Sequence, residues 1–308
     1  MRVIAGDVGG TKTLLRLVDG DQVVVEQRYP SGDYATFDLM LREFVTRAGG
    51  PVDAACFAVA GPVLENRAEV TNLHWLIESA ALQRDFTIPR VALINDFYAV
   101  ALGVPLLKAD DRLVLHQGTR VEHAPIAILG AGTGLGEAIL TWNGAWNVVP
   151  GEGGHADFAP QDEIQSRLML SLIARYGHAS WERVCSGMGL VNIYEFLGGS
   201  GADPAKIAAL SDSGDARAKQ TFEIFVDIYG SEAGNMALRI LSRGGVYLAG
   251  GIAAKNPKHF TDGRFMTAFL RKGRFCDILE AMPVEVIINE RVGVIGAAEM
   301  ARRLKTKD

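Results

Sequence analysis

Two glycine-rich turns stand between short apolar runs: Gly6-Asp7-Val8-Gly9-Gly10-Thr11 near the start of the chain, and Gly130-Ala131-Gly132-Thr133-Gly134-Leu135-Gly136 near its middle. Glycines let backbone N–H groups reach an anion with no Cβ in the way, so a pair of such turns points to a clamp on nucleotide phosphates. Neither turn has the G-x-x-x-x-G-K-[ST] spacing of a P-loop, and neither opens a helix with G-x-G-x-x-G. Each turn leads instead into a β-leaning run, Leu14–Val18 and Ala138–Trp142, ended by Asp19-Gly20 and Asn143-Gly144. Each unit therefore reads strand, glycine turn, antiparallel strand. Laid over one another they look like an internal repeat, with Asp7 in the first copy and uncharged Ala131 near that place in the second. One half would manage a metal ion and the other only phosphate.

Asn95-Asp96 comes directly after the apolar run Val91-Ala92-Leu93-Ile94, at the carboxyl edge of a buried strand, where open α/β sheets project side chains into a ligand crevice. Phosphoryl transfer to an alcohol needs a carboxylate to orient the hydroxyl and accept its proton, and Asp96 is the candidate base. Both residues are also strong N-caps for a helix beginning at Phe97, and spacing alone leaves base and cap equally open. The segment Pro150–Phe158 gathers Glu152, His155 and three glycines. Such a loop offers the convergent hydrogen bonds a polyol requires, although a glycine-rich surface turn has the same composition. One histidine with at most two carboxylates does not make a metal set. Glu182 reads by pattern alone as a surface charge. Gly250-Gly251, after the run 245–249, either lets an adenosine approach the backbone or simply ends a strand.

The elements that must position these residues alternate. Strands are expected near 2–8, 13–18 and 22–29, and Phe37, Met40, Leu41, Phe44, Val45 and Ala48 recur at helical spacing over 37–48. A buried strand over 54–60, a helix near 74–84 and the strand 91–94 come next, and Gly103-Val104-Pro105 marks a boundary. Beyond it come helices near 162–176, within 214–242 and over about 257–270, strands 245–249 and 284–288, and a terminal helix over 294–304. Strand and helix alternation makes the class α/β. The arrangement resembles the two-lobed actin-like ATPase (ribonuclease H-like) fold of sugar kinases, actin and the Hsp70 chaperones, with mixed β-sheets flanked by helices about a central cleft. That resemblance implies a small lobe of 1–105 plus 293–308 and a large lobe of 106–292. The 308 residues, 48% hydrophobic, suffice for two cores, and a net charge of −5 argues against nucleic acid and anionic membranes as partners. The start of the chain lacks a secretory apolar stretch, and no membrane-length apolar run occurs. Cys56, Cys185 and Cys276 are too far apart for C-x-x-C chemistry and read as buried or incidental thiols.

Taken together, Gly6–Thr11, Ile94-Asn95-Asp96-Phe97, Gly130–Gly136, Pro150–Pro160, Glu182-Arg183-Val184-Cys185-Ser186-Gly187 and Ala249-Gly250-Gly251-Ile252 resemble, in order and spacing, the bacterial glucokinase family over essentially the whole chain. The resemblance implies a cytoplasmic ATP:D-glucose 6-phosphotransferase acting by direct in-line transfer. It makes Asp96 the base, and gives the sugar hydroxyls to Asn95, Glu152, His155 and Glu182. ATP then falls to Gly6, Asp7, Val8, Gly9, Gly10, Thr11, Gly132, Thr133, Gly134, Gly250 and Gly251, with Asp7 acting on Mg²⁺ through water and two chains pairing as a homodimer. Lys12 stands where many of these glucokinases carry Asn; the sister family of repressors, open-reading-frame proteins and sugar kinases often has Lys there. Those relatives add a Cys-rich zinc loop after the His-bearing motif, whereas this chain has Ala156-Asp157-Phe158-Ala159-Pro160 there. The other readings are a kinase for another hexose or an N-acetylhexosamine, and a non-catalytic sugar sensor on the same fold.

Overall fold

Residues 1–70 and 72–304 are described by the computed structural model; the end of the expected small lobe, 305–308, lies outside the described residues. The chain divides into two units, Met1–Lys108 with the described residues from Asn289 on, and Ala109–Ile288.

In the first unit, β1 (Arg2–Val8) runs antiparallel to β2 (Lys12–Asp19), which pairs with β3 (Gln22–Pro30). On its other side β1 is parallel to β4 (Ala54–Val59), giving the order β3-β2-β1-β4-β8 with β8 at Val91–Asn95. Every residue of β4 is buried, as expected of a parallel strand covered on both faces. The two-residue period sorts β1 between two apolar layers. Ile4 and Val8 join Phe37, Phe44, Phe57 and Trp75 beneath α1 (Phe37–Ala48), while Val3 and Ala5 join Cys56, Ala99, Val294 and Ala297. That second layer belongs to α3 (Asp96–Gly103) and the C-terminal helix Val292–Arg303. Between β4 and β8 lie a small sheet of β5 (Val63–Leu64), β6 (Arg67–Val70) and β7 (Trp75–Glu78), then α2 (Ser79–Phe86). The helix expected near 74–84 therefore begins only at Ser79. Trp75 and Ile77 are buried while Leu76 is exposed, and that alternation fits a strand paired with β6.

The second unit repeats the plan. Its sheet runs β12-β11-β10-β13-β14-β9, with β9 (Arg112–His116), β10 (Ile126–Ala131), β11 (Leu135–Trp142), β12 (Trp146–Gly151), β13 (Gly245–Ala249) and β14 (Val284–Ile287). As with β1, the central β10 is antiparallel to the strand after its glycine turn and parallel to the next strand inward. The expected internal repeat is thus visible as topology, and β9 is an addition at the sheet edge that sequence reading took for a connecting region. α4 (Glu163–Tyr176), α5 (Gly187–Phe196) and α6 (Pro204–Asp212) lead to the 25-residue α7 (Ala216–Ile240), whose Phe222, Phe225, Tyr229 and Ala233 are fully buried. α8 (Gly251–Lys255), α9 (Arg264–Leu270) and α10 (Cys276–Glu280) complete it. The single helix expected over 257–270 is instead a short turn at Pro257–His259 and then α9, because Gly263 takes a left-handed φ of 91°.

The C-terminal helix packs on α3 with backbone nearly touching backbone: a Cβ on Gly296 would strike the Ala99 carbonyl, and one on Gly103 the Val292 carbonyl. Gly296→Ala should therefore lower unfolding stability by roughly 1–3 kcal/mol, despite the better helix propensity of alanine. Urea denaturation reads this directly, and an unchanged or raised midpoint would show that the two helices can part without cost.

Candidate active site

In the first unit the turn after β1 is closed by Gly9 N–H donating to the Lys12 carbonyl at 3.1 Å. Ser31, just past β3, ties it down. Its hydroxyl donates to Gly9 O at 2.7 Å and lies 3.0 Å from Thr13 Oγ1, and its N–H donates to Thr11 O at 3.0 Å. Sequence reading missed Ser31, for which the only signal was a serine next to a proline at a strand end. Gly6 is buried against Phe57 and Leu15, and Val8 is fully buried, so these two can offer a ligand only backbone groups. Thr11 is exposed, and Gly10 faces the Asn72 side chain. Lys12 reaches toward Glu290 at 3.8 Å.

Asp7 is half-buried, and its Oδ2 lies 3.1 Å from where a Cβ on Gly293 would stand, in the first turn of the C-terminal helix. Burial pushes its carboxyl up to about 6, the negative charge of Asp96 adds to the rise, and Lys12 and Arg28 oppose it. Asn95 is the N-cap of α3. Its Oδ1 accepts from Phe97 N at 2.9 Å and Tyr98 N at 3.2 Å, and its Nδ2 donates to Gly61 O at 3.1 Å and Asp96 Oδ1 at 2.9 Å. Asp96 Oδ1 also accepts from Phe97 N at 2.8 Å. The capping reading thus holds for Asn95, and the same bonds fix the orientation of Asp96.

In the second unit, the turn after β10, the loop after β12 and the segment before α5 are bonded into one assembly. Gly132 N–H donates to Gly134 O at 2.9 Å, and Gly187 N–H, opening α5, donates to Gly132 O at 2.8 Å. Glu182 Oε2 accepts from Leu135 N at 3.0 Å and crowds Gly134 so closely that no Cβ would fit there. The Glu182 N–H donates to Gly154 O at 2.7 Å, and Ser186 Oγ donates to Glu182 O at 2.7 Å. Glu182 is therefore half-buried and bonded to the glycine turn, not the free surface charge its pattern suggested. Gly154 lies on the Leu135 carbonyl, again with no room for a side chain. Glu152 and His155 point outward on either side of the Gly153–His155 turn, both largely exposed, with His155 Nε2 3.9 Å from Glu152 Oε2.

Gly250 is explained within the protein: its φ is 85°, and a Cβ would strike Ala131 at the end of β10. Gly251 and Thr133 are exposed. Within the first unit the structure thus brings Asp7 and Asp96 together. Within the second it brings Gly132 and Gly134 together with Glu182 and the Glu152–His155 loop. Among the described residues there is no group of three or more His, Cys, Asp or Glu able to hold a metal ion alone, and no helix long and apolar enough to cross a membrane. The three cysteines are free, Cys56 and Cys185 buried and Cys276 partly so.

The chain is similar to known proteins over nearly its whole length. The family model described as Glucokinase matches residues 4–304. A glucokinase of Trichormus variabilis is 41% identical, covering 98% of this chain and 99% of that protein, and one of Yersinia enterocolitica is 36% identical, covering 97% and 96%. The crystal structure of a glucokinase from an Antarctic psychrotroph superposes with a TM-score of 0.91 at 28% identity, over 98% of this chain and 99% of that one. A ROK family glucokinase from Streptomyces griseus, solved with glucose and AMPPNP, shares the fold at a TM-score of 0.64 and 21% identity, over 99% of this chain and 100% of that one.

The raised Asp7 carboxyl makes a stability prediction. Its folded value of about 6 lies above the unfolded value near 4, so its contribution is whole below about pH 4 and is lost as pH rises through 6. Asp7→Asn, which cannot ionise, should match the parent near pH 4 and exceed its stability at pH 8 by about 2 kcal/mol, the full shift being discounted for partial exposure. Denaturant titrations of the ligand-free protein at the two pH values measure this, and a gain that does not depend on pH would disprove the electrostatic cause.

Proposed function

The chain belongs to the glucokinase family, and from that premise we propose that it transfers the γ-phosphoryl group of ATP to the 6-hydroxyl of D-glucose by direct in-line displacement, with Asp96 as general base. The observation that carries the role of Asp96 is its position. It opens α3 at the carboxyl end of the parallel strand β8, is held by Asn95 and by Phe97 N–H, and lies near enough to Asp7 to raise that carboxyl. A carboxylate fixed in this way can orient a sugar hydroxyl and take its proton as the bond to phosphorus forms, without passing through a phosphoenzyme.

The remaining roles depend on the bonds each group can still make. Glu152 and His155, exposed on their turn, accept from and donate to sugar hydroxyls, and Glu182 adds an acceptor from the segment bonded beside them. Asn95 uses its whole amide in the cap, so it takes part in sugar binding by exchanging its bond to Gly61 O. With the Gly9 and Gly132 N–H groups closing their own turns, those of Gly10, Thr11, Thr133 and Gly134 serve phosphate, and Gly250-Gly251 leaves backbone open to the adenosine. The donor set fits a divalent cation. Asp7 and Asp96 are carboxylates whose charges oppose one another, and hard oxygen donors of that kind suit Mg²⁺, with Asp7 acting through water. Bound Mg²⁺ would neutralise charge on the β- and γ-phosphates. Family membership alone supports a homodimer and a cytoplasmic location, the former measurable by sedimentation.

Purified protein with Mg-ATP should phosphorylate glucose in a glucose-6-phosphate dehydrogenase-coupled assay, well ahead of mannose, fructose and N-acetylglucosamine, with little ATP hydrolysis when sugar is absent. Turnover confined to another sugar would sink the substrate assignment. Asp96→Asn should lower kcat by about 10²–10⁴ while leaving the glucose Kd within about threefold. Calorimetric titration supplies the Kd, and near-normal turnover in that variant would remove Asp96 from the role of base.

A further inference from the structure

We infer that Glu137, on β11, is a positioning residue for the sugar loop: its buried carboxyl seats against Gly153 and sets the turn from which Glu152 and His155 project. The inference rests on the reading of that loop as the sugar site. Glu137 is only 6% exposed, on a strand whose cross-strand partners there are Leu129 in β10 and Gly151 in β12. Its Oε2 stands so close over Gly153 that a Cβ there would collide with it, while its Oε1 is buried with no hydrogen-bond partner. A buried carboxyl oxygen without a donor is costly, and a protein keeps one where the geometry has another use. Two residues earlier on the same strand, the Leu135 carbonyl lies against Gly154, and Leu135 N–H is held by Glu182. β11 thus supplies both floor contacts of the Gly153-Gly154 turn, one from backbone and one from the Glu137 carboxyl, leaving the flanking Glu152 and His155 to face a ligand.

The protonation state of Glu137 is set by its surroundings. α7 presents Glu232, Arg239 and the Tyr229 hydroxyl, and the segment before α5 presents the Cys185 thiol. Glu232 is itself fully buried and bonded, accepting from Arg239 Nη1 at 2.8 Å and Asn235 Nδ2 at 2.9 Å, while Lys272 bonds Asn235 Oδ1 at 2.7 Å and lies near Glu232. Burial raises the Glu232 carboxyl as well, but Asn235 and Arg239 donate to it and oppose that rise, whereas among the described residues Glu137 has no such donor. Burial and then the Glu232 charge push Glu137 up to about 7, with Arg239 opposing. Below that value Glu137 is a neutral acid that packs quietly beneath Gly153. Above it a carboxylate without donors must draw toward water or pull a donor in, and the turn resting on it moves.

The test is glucose binding by calorimetry at pH 6 and pH 8.5, without nucleotide, for the parent, Glu137→Gln and Gly153→Ala. Glutamine has the shape of the neutral acid and cannot ionise. The parent should bind glucose about fivefold or more weakly at pH 8.5 than at pH 6, whereas Glu137→Gln should change by less than about twofold. Only the difference between the two pH profiles reports on Glu137. Gly153→Ala, which presses a methyl group onto the same carboxyl, should weaken binding by about tenfold at both pH values while circular dichroism shows a folded protein. Identical pH profiles for the parent and Glu137→Gln would overturn the inference while leaving the sugar loop in place. Absence of glucose binding by the parent at either pH would overturn the reading of the loop and this inference with it.

Discussion

A carboxylate set hard against a glycine is the contact on which the candidate residues of each unit depend. Glu182 crowds Gly134, Glu137 crowds Gly153, and Asp7 stands over Gly293. In each case any larger residue would push the acid away from the backbone it defines. The glycine is what lets the acid come close. Helix, strand and core are arranged to bring these pairs together. β11 carries both Leu135, whose N–H Glu182 holds, and Glu137, while the C-terminal helix places Gly293 beside Asp7 and packs on α3, whose first residue is Asp96.

Both units start from one hairpin design and diverge in how the turn is held. In the first, a neutral serine at the end of the third strand bonds Gly9 and Thr11, leaving a charged Asp7 near the end of β1. In the second the strand before the turn carries no charge, and acid comes from outside it, from Glu182. The division makes electrostatic sense. Two carboxylates at one turn repel each other and any phosphate, so an acid is tolerable where a cation joins it or where backbone N–H groups engage it. Glu182, bonded to Leu135 N–H, fits the second case, and under the proposed function Asp7 would fit the first.

Much of this was legible in the residues and their order. The paired turns, the repeat, the strand before Asn95-Asp96 and the polar loop at 150–158 all depend on glycine and on short-range periodicity, which a sequence displays directly. The helix near 74–84 failed because Trp75, Leu76 and Ile77 fit a helical count as well as a strand alternation, and pairing with β6 decided between them. The expected helix over 257–270 failed at Gly263, whose left-handed backbone breaks it. Glu137 and Ser31 were invisible for another reason. A buried acid beneath a loop, or a serine bonded to Thr13 and Gly9 at separations of 18 and 22 residues, leaves no local pattern, since its meaning lies in long-range neighbours. Glu182 was misjudged from pattern alone on the same ground, and only the run of motifs around it pointed elsewhere.

The capping bonds of Asn95-Asp96 are compatible with the role proposed for Asp96. An N-cap is worth about 1 kcal/mol to a helix, too little to explain why two acceptors should converge on one amide N–H at Phe97. What the arrangement adds is rigidity. Asn95 has its amide engaged at both ends, so it cannot rotate without breaking several bonds, and Asp96 Oδ1 is held both by that amide and by the helix start. With Oδ1 fixed, the plane of the carboxyl is set before any substrate arrives. For the base role proposed for Asp96, an orientation held in advance would avoid the entropy cost of finding it, a gain that is largest when the proton moves late and the transition state is loose. The helix cap is then the device that orients the acid, so the folding rule and the proposed chemical role draw on the same two residues.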